Sequence, residues 1–329
     1  MRNNRHPDRR CSYVVVVQNA TSNAGELGEL AAYFSTLTVA GCEVVILDPS
    51  PRDQFERNGR VLRWVGQHLS VRPEHRSGGG IDIVRAASAH ASTDKVIVAA
   101  EDVRYTAEAV AQICDLLDVH EVVEPQDYLD PMPWWGGIEA GRILIHRGIE
   151  PQPDHGATFG FRRSAVRALR ALGPATTADA QARRLAAVGA EVYPAADVFV
   201  RREVAPFTEW LSARPRLAGD DFDLPLKTAL FFSLIPLLVL LFFTGGLRVA
   251  GSYLSVVAFT SIVLAARGRV GAAAMVFPLR ACFFAPLWVF ERSVSVYWAL
   301  FRKLRGTDEE TTRIATPDRA SRTKVASGE

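Results

Sequence analysis

The run Tyr13-Val-Val-Val-Val-Gln18 decides the fold class of this chain. It is apolar over the length of one strand, which is typical of parallel strands covered on both faces. A helix-length segment, 26–40, follows with apolar residues at three- and four-residue spacing and with Gly41 as its C-terminal stop. A second apolar strand, Glu43-Val-Val-Ile-Leu47, comes next. This alternation predicts an α/β domain with a largely parallel sheet.

The same alternation continues to about Arg202. Thr106 is a suitable N-cap for a helix through Leu117, because its hydroxyl can accept a hydrogen bond from an N–H of the first turn. The Pro-, Gly- and Trp-rich stretch 125–141 is predicted to be a long loop. The remaining predicted elements are helices over 55–69, 81–91 and 164–172, a strand over 95–99 and a turn at 78–80.

Composition excludes several classes of protein. Of the 329 residues, 48% are hydrophobic and 22% are charged, which is enough for a sizeable core and excludes a disordered chain. A formal net charge of +2 argues against a broadly basic nucleic-acid binder. The four cysteines lack both a Cys-x-x-Cys spacing and a neighbouring histidine, so we expect buried thiols and no zinc site. The basic N-terminus precedes only a short apolar run, which does not match a signal peptide.

Two charge-free segments follow Asp223. Residues 228–247 form a run of about 20, enough to cross a bilayer as a helix, and 249–266 is near the lower limit of about 17. We predict a transmembrane hairpin, because 230–243 is apolar all round and offers no polar face to water. The alternative is a pair of buried helices in a soluble domain.

A third apolar stretch, 270–301, carries charges and prolines, so it is predicted to lie at the membrane surface. Trp288, Tyr297 and Trp298 would then lie at headgroup depth. Basic residues precede the first span and follow the second, which predicts that the hairpin tip points away from the cytoplasm. The predicted location is therefore the inner (cytoplasmic) membrane, with several passes and with the α/β domain facing the cytoplasm.

Acidic residues follow two of the predicted strands. Asp48-Pro-Ser-Pro-Arg-Asp53 follows the second strand, and Glu101-Asp102 follows the strand over 95–99. Ligands of an open parallel sheet bind outside the carboxyl ends of its strands, so these residues are candidates for a binding site. The alternative for each motif is an ordinary helix cap.

These motifs, in this order, resemble those of the family 2 glycosyltransferases, which use a nucleotide-binding α/β fold called GT-A. The resemblance covers residues 12–222. It implies a GT-A-like domain with a mostly parallel sheet, followed by C-terminal transmembrane helices. The matching segments are Gln18-Asn19-Ala-Thr21, Asp48 to Asp53, Ala100-Glu101-Asp102, Gly160-Phe-Arg162-Arg163, Ala178-Asp179 and Arg214-Pro-Arg216-Leu217.

The resemblance also implies roles for single residues. Asp102 would hold a divalent metal, Mg²⁺ or Mn²⁺, that stabilises the leaving diphosphate. Asp179 would be the general base of an inverting transfer, or else only an N-cap. The last arginine pair could instead form a basic patch on anionic lipid. The further implied contacts are Asn19, Asp48 and Asp53 to the nucleotide, and Arg162, Arg163, Arg214 and Arg216 to the diphosphate or acceptor.

The predicted function is that of a membrane-bound glycosyltransferase of cell-envelope polysaccharide biosynthesis. It would transfer a sugar with inversion from a nucleotide-sugar donor to a lipid-linked or membrane-proximal glycan acceptor. The alternative is a catalytically degenerate relative that binds nucleotide sugar or a partner without turnover, since Ala100, Ala178 and Leu217 replace residues of the family motifs. A dinucleotide enzyme is disfavoured, because no Gly-x-Gly-x-x-Gly follows the first strand. Membrane lipids are expected partners, and nucleic acid is not.

The predicted organisation has five parts. These are a disordered N-terminus over 1–11, a GT-A-like domain over 12–222, a transmembrane hairpin over 223–268, an interfacial or third membrane helix region over 269–305 and a disordered cytosolic tail over 306–329. The mean hydropathy of +0.06 is then an average over a charged domain and an apolar segment.

Overall fold

A computed structural model describes residues 9–17, 24–71, 83–150, 158–164, 190–219 and 225–305. The chain divides into two compact units. The first comprises Met1–Val204 with Phe259–Pro286, and the second comprises Ala205–Ala258 with Leu287–Glu329. All described strands belong to the first unit.

The first strands and helix follow the predicted alternation. β1 (Cys11–Val16) and β2 (Cys42–Asp48) are buried at every residue. Between them lies α1 (Ala24–Val39), which is followed by Gly41 at a φ of 88°. This value is in the left-handed region, which glycine adopts without a Cβ clash, so Gly41 allows the chain to turn directly into β2.

Both faces of β1 are covered. Tyr13 and Val15 belong to one hydrophobic core, and Val14 and Val16 belong to the core on the other side of the sheet. Because successive side chains of a strand point to opposite faces, a strand between two cores must be apolar at every position.

The rest of the first unit continues as an α/β domain. Its Thr106 cap is confirmed, since the Thr106 hydroxyl accepts a 3.1 Å hydrogen bond from the N–H of Ala109. The predicted turn at 78–80 and residues 165–172 of a predicted helix lie outside the described residues. The further elements are α2 (Arg52–Leu62), β3 (Gln67–Ser70), α3 (Ile83–His90), β4 (Lys95–Ala100), β5 (Val103–Arg104), α4 (Ala107–Leu116), β6 (Val122–Leu129), α5 (Trp134–Ile149), β7 (Thr158–Arg162) and β8 (Val192–Arg202).

The eight described strands form one sheet in the order β3-β2-β1-β4-β7-β6-β8-β5. β3, β2, β1 and β4 are parallel neighbours, and β6 is parallel to β8. β7 is antiparallel to β4 and β6, and β5 is antiparallel to β8. Six of these strands therefore run in one direction, which confirms the predicted α/β class with a mostly parallel sheet. Their carboxyl ends meet at one edge.

Two predicted segments are wrong. The helix over 55–69 is too long, because α2 ends at Leu62 and Gln67–Ser70 is a strand. The loop over 125–141 is largely occupied by β6 and α5. Pro125 lies at a register shift between β6 and β8, a place where a strand tolerates a residue without an N–H. The glycines of α5 do not form a loop. They allow neighbouring helices to pack closely against α5.

α5 packs closely against parts of two C-terminal helices, α7 (Pro225–Gly268) and α9 (Arg280–Leu304). A Cβ on Gly141 would lie 2.7 Å from the Ala285 nitrogen, and a Cβ on Gly148 would overlap the carbonyl of Leu264. The buried Arg147 donates hydrogen bonds to the Gly268 carbonyl at 3.3 Å and to the Ala196 carbonyl at 2.5 Å. α5 is therefore held to the sheet and to both helices, and positions 141 and 148 leave no room for a side chain.

Glu43 is a buried carboxylate at the amino end of β2. It accepts hydrogen bonds from the Ser12 hydroxyl at 2.5 Å, the Ser92 N–H at 2.8 Å and the Gln67 amide at 2.9 Å. It also pairs with Arg9 at 3.0 Å. Since it lies at the edge opposite the carboxyl ends of the parallel strands, we assign Glu43 a structural role.

The four cysteines are free and buried, as expected. The Sγ atoms of Cys11 and Cys42 are 3.5 Å apart, because these residues face each other in the first register pair of β1 and β2. Sequence spacing gave no sign of this contact, which depends on strand pairing.

The C-terminal helices correct the prediction of several transmembrane helices. They are α6 (Phe207–Gly219), α7, α8 (Ala273–Val276) and α9. Among the described residues, one helix, Thr228–Gly268 within α7, is long and apolar enough to cross a membrane, and 11% of its most apolar stretch is buried. The two predicted spans therefore belong to one long element. α9 is not among such helices in the described part of the chain.

α7 is not straight. Gly246 has φ 68° and ψ −168°, which departs from helical geometry. The Tyr253 hydroxyl donates a 3.3 Å hydrogen bond to the Leu234 carbonyl. In a straight helix these residues would be about 28 Å apart at 1.5 Å per residue, so the chain reverses between them.

Two of the three aromatic residues expected at headgroup depth are packed inside the second unit. Trp288 is buried, and its ring meets that of Phe231 at 5.5 Å. The Tyr297 hydroxyl donates to the Phe232 carbonyl at 2.5 Å. Trp298 is the exposed member of the three, at 44%. The sequence correctly marks an aromatic cluster, but tertiary packing decides which rings face outward.

Replacing Gly148 with alanine should destabilise the first unit. The new Cβ meets the Leu264 carbonyl, and overpacking of this kind costs about 1–3 kcal/mol. Thermal unfolding of the full chain in detergent should show a lower melting temperature for Gly148→Ala. The matched control is Gly28→Ala on α1, where a Cβ meets no atom within 4 Å and the change should be neutral or stabilising. Equal melting temperatures for the two variants would contradict the α5 packing.

Candidate functional site

Asp102, Asp127 and Arg202 come together at the carboxyl edge of the sheet. Asp102 follows β4, Asp127 lies in the second half of β6 and Arg202 ends β8. The Glu203 N–H donates a 2.9 Å hydrogen bond to the Asp102 carbonyl, and Val103 pairs with Arg202 across the β5–β8 ladder. Backbone pairing therefore fixes Asp102 beside Arg202, although 100 residues separate them along the chain.

The Arg202 guanidinium bridges two carboxylates. Its Nε lies 2.7 Å from Asp102 Oδ2, and its Nη1 lies 3.4 Å from Asp127 Oδ2. Burial disfavours the charged guanidinium, but Asp102 and Asp127 outweigh that effect and raise the pKa of Arg202. Burial also raises the pKa of Asp127, although Arg202 opposes this rise. The contact to Asp102 is the shorter of the two.

Two more arginines stand on the same short ladder. Arg104 and Arg201 face each other in the β5–β8 register, and both approach Glu203, at 3.2 and 3.9 Å. Arg104 also lies over the Tyr33 ring at 5.0 Å. Guanidinium groups carry five N–H donors in a planar fork that matches phosphate and carboxylate groups. This end of the sheet therefore concentrates guanidinium groups, and Glu203 engages those of Arg104 and Arg201.

One carboxylate oxygen of Asp102 lacks a hydrogen-bond partner among the described residues. Its Oδ1 is buried and has no hydrogen-bond partner in the described part of the chain. A hard cation prefers such an oxygen, and Mg²⁺ commonly takes only one or two protein carboxylates. No three His, Cys, Asp or Glu side chains among the described residues are arranged to hold a metal ion. The residues present thus fit a cation held by Asp102 and completed by phosphate oxygens and water.

Asp48, predicted to contact the nucleotide, is fully buried at the end of β2. Its carboxylate accepts hydrogen bonds from the Ser50 N–H at 2.9 Å and the Asn58 amide at 2.8 Å, and it contacts His68 Nε2 at 2.9 Å. Burial opposes ionisation, but these three partners outweigh it and lower the pKa of Asp48 to about 2. In this structure the carboxylate joins β2 to α2 and β3. Asp53 is exposed in the first turn of α2.

Arg162 and Arg163 are not brought to Asp102. β7 runs antiparallel to β4, and Arg162 pairs with Lys95 at the amino end of that strand. At about 3.3 Å per residue, this lies about 20 Å from Asp102. The Arg162 guanidinium donates to the carbonyls of Leu117 and Asp118, at 3.4 and 3.1 Å.

The remaining predicted site residues fall in different places. Arg214 lies in the second unit, where it is buried, stacks on the Trp210 ring at 4.2 Å and approaches Glu291 at 3.9 Å. The Arg216 side chain, Asn19 and Asp179 lie outside what the structure describes. Their assignments remain predictions.

Sequence reasoning missed Arg202 and Asp127. Arg201-Arg202-Glu203 follows the apolar run Val198-Phe-Val200, so a search for charges at strand ends could have found Arg202. Asp127 lies in the segment that was predicted to be a loop, and its burial depends on β6 being a strand.

A cavity of about 300 Å³ lies beside the end of β6. Tyr128 and Leu129, which pair with Arg201 and Arg202, form one wall. Met275 is 86% exposed at the other side. The cavity thus combines apolar and charged groups, and its lining also includes Asp130, Met132 and Arg280.

Neither a protein-family model nor a curated protein matches this chain. Among solved structures, a mannosyltransferase from Pyrobaculum calidifontis in complex with GDP-Man and Mn²⁺ is 18% identical. The similarity covers 88% of this chain and 87% of that one, with a TM-score of 0.47. Glucosyl-3-phosphoglycerate synthase from Mycobacterium tuberculosis, in complex with Mn²⁺, UDP and glucosyl-3-phosphoglycerate, is 14% identical over 64% of this chain and 78% of that one, with a TM-score of 0.41.

A nucleotide-diphospho-sugar transferase described as putative, from Desulfovibrio desulfuricans G20, is 13% identical over 59% of this chain and 81% of that one, with a TM-score of 0.31. At these scores and identities the likenesses do not assign this chain to a family or give it a function.

The Asp48 carboxylate should make stability depend on acid pH. The pKa of Asp48 in the folded chain is about 2, below the ordinary value of 3.8. The ionised carboxylate therefore contributes its full stabilisation of the fold at a pH above about 3.8, and this contribution is lost as the pH falls toward 2. Asp48→Asn should cost about 2 kcal/mol near neutral pH, and the deficit should shrink between about pH 4 and 2. The test is to measure melting temperatures of the parent chain and of Asp48→Asn across this pH range. The exposed Asp53→Asn is the control. A deficit that does not change with pH would refute it.

Proposed function

We propose that this chain is a GT-A-type glycosyltransferase of the family 2 kind that uses a nucleotide-sugar donor and a divalent cation, Mg²⁺ or Mn²⁺. The observation that carries the proposal is the group formed by Asp102 and Arg202 at the carboxyl edge of a mostly parallel sheet. This edge is where open α/β sheets bind ligands, and the group places a buried carboxylate oxygen without a hydrogen-bond partner among the described residues beside a guanidinium. A nucleoside diphosphate needs both a cation ligand and N–H donors.

In this proposal each residue has a defined task. Asp102 would hold the cation, which would stabilise the charge that develops on the leaving diphosphate. Arg104 and Arg201, which pair with Glu203 at the neighbouring register position, would add positive charge near the phosphates. Asp179 takes the proton from the acceptor hydroxyl, which attacks the anomeric carbon from the face opposite the leaving group and inverts its configuration.

We propose an acceptor that is lipid-linked or lies at the membrane. The cavity beside β6 supports this, since Met132 and Met275 can contact apolar chains and Arg280 can pair with an anionic group. The sequence of α7 supports membrane association, because its exposed apolar surface has no polar face to turn to water. The distribution of basic residues favours the inner membrane, with the sheet-bearing unit in the cytoplasm.

The second candidate function is binding without turnover. It is favoured by Ala100, which removes one carboxylate from the metal motif, and by the ion pair that engages one oxygen of Asp102. A protein of this kind would bind nucleotide sugar or a partner without turnover. The two candidates separate by whether the chain releases nucleoside diphosphate from a nucleotide sugar.

Nucleotide binding tests both candidates. The full chain in detergent should bind UDP or GDP more tightly with Mn²⁺ than without it, measured by calorimetry. Asp102→Asn should weaken binding in Mn²⁺ by about tenfold or more, a loss of about 1.4 kcal/mol or more, because the cation loses its carboxylate ligand. Asp115→Asn, an exposed carboxylate on α4, is the matched control and should bind like the parent chain. Binding that does not respond to Asp102→Asn would remove Asp102 from the site.

Turnover tests the assignment of Asp179. Incubation of the full chain with a nucleotide sugar and a lipid acceptor should release nucleoside diphosphate, and Asp179→Ala should slow this about 100-fold or more while nucleotide binding persists. Turnover that survives the substitution unchanged would show that Asp179 is a helix cap. Nucleotide binding with no release for any donor would favour the second candidate.

A further inference from the structure

Asp102 and Arg202 cannot drift apart, because their backbones are joined. The Glu203 N–H donates to the Asp102 carbonyl at 2.9 Å, and the Asp130 N–H donates to the Arg202 carbonyl at 3.2 Å. β5 and β8 add a ladder between the two segments. Only side-chain rotation can break the contact between the Asp102 carboxylate and the Arg202 guanidinium. The pair can therefore open and close without disturbing the sheet.

The two oxygens of Asp102 are in different states. Oδ2 is 2.7 Å from Arg202 Nε, whereas Oδ1 is buried without a hydrogen-bond partner in the described part of the chain. A divalent cation placed on Oδ1 would lie within a few ångströms of the guanidinium charge, and the two positive groups would repel each other strongly in a partly buried site. Arg202 and a cation thus compete for one carboxylate.

A diphosphate would resolve this competition. Its oxygens accept paired hydrogen bonds from a guanidinium fork and also coordinate a divalent cation. Arg202 uses Nε and Nη1 for its carboxylates. Rotation of the side chain would place the same donors on phosphate oxygens, and the carboxylate charge of Asp102 would then be left to the cation.

We propose that Arg202 and the divalent cation occupy Asp102 in turn, with the guanidinium on the carboxylate in the nucleotide-free chain and the cation on it once a nucleoside diphosphate has drawn the guanidinium away. This inference rests on the proposed nucleotide-sugar function. It makes Arg202 a diphosphate-binding residue that also blocks premature metal binding. Because binding free energies are reciprocal, the nucleotide must raise cation affinity by the same factor as the cation raises nucleotide affinity.

The test is a titration of the full chain in detergent with Mn²⁺, with free Mn²⁺ followed by its electron paramagnetic resonance signal. The parent chain should bind Mn²⁺ weakly alone and about tenfold or more tightly in saturating UDP or GDP. Arg202→Gln should bind Mn²⁺ alone several-fold more tightly than the parent chain, because Asp102 is released. It should also lose most of the enhancement by nucleotide.

Control variants separate this result from a general loss of structure. Arg202→Lys keeps the charge but not the fork, so it should still suppress nucleotide-free Mn²⁺ binding while the nucleotide enhancement falls. Asp102→Asn should abolish Mn²⁺ binding at this site in the parent chain and in both Arg202 variants. If Arg202→Gln does not fold, Arg202→Lys and the parent chain still show whether nucleotide binding changes the Mn²⁺ affinity.

The outcomes distinguish this inference from the function on which it rests. The alternation of Arg202 and the cation on Asp102 would be wrong if the parent chain binds nucleotide with no change in its Mn²⁺ affinity. It would also be wrong if Arg202→Gln keeps the Mn²⁺ affinities of the parent chain. Either result would leave the nucleotide-binding proposal standing. Absence of nucleotide binding under all conditions would overturn both.

Discussion

The pairing of β5 with β8 is the constraint on which the candidate site depends. It joins the segment after β4 to the end of β8 and so brings a carboxylate and a guanidinium together across 100 residues of sequence. The contact lies where the carboxyl ends of the parallel strands meet, at the edge that receives ligands in open α/β sheets. Without Asp102, the partly buried Arg202 guanidinium would keep only its longer 3.4 Å contact with Asp127. The ion pair therefore lies at the same edge that the proposed chemistry needs.

Much of the fold can be predicted from local patterns. The apolar runs of β1 and β2, the glycine stop of α1 and the Thr106 cap all depend on residues close together in sequence. The position of Asp102 at a strand end follows in the same way. Arg202 could not be paired with it, because that requires the register of two strands far apart in sequence. Likewise, Asp48 could be placed at a strand end, but its burial depends on His68, which was predicted to lie on a helix and lies on β3.

Glycine and proline lead to wrong predictions where tertiary packing gives them a different use. Pro125 and the glycines after Trp134 resemble loop residues, but Pro125 lies at an irregularity in a strand and Gly141 and Gly148 allow α5 to approach neighbouring backbone. The C-terminal segment shows the same limit. Hydropathy finds the apolar residues of α7, whereas the reversal near Gly246 and the burial of Trp288 come from contacts between residues about 20 to 60 positions apart.

The most direct test of this account is an experimental structure of the full chain with a nucleoside diphosphate and Mn²⁺. We expect Mn²⁺ coordinated by Asp102 and by diphosphate oxygens, with the Arg202 guanidinium turned from its 2.7 Å contact with Asp102 onto the phosphates. A nucleotide bound elsewhere, with the Asp102–Arg202 pair intact and no metal on Asp102, would contradict it.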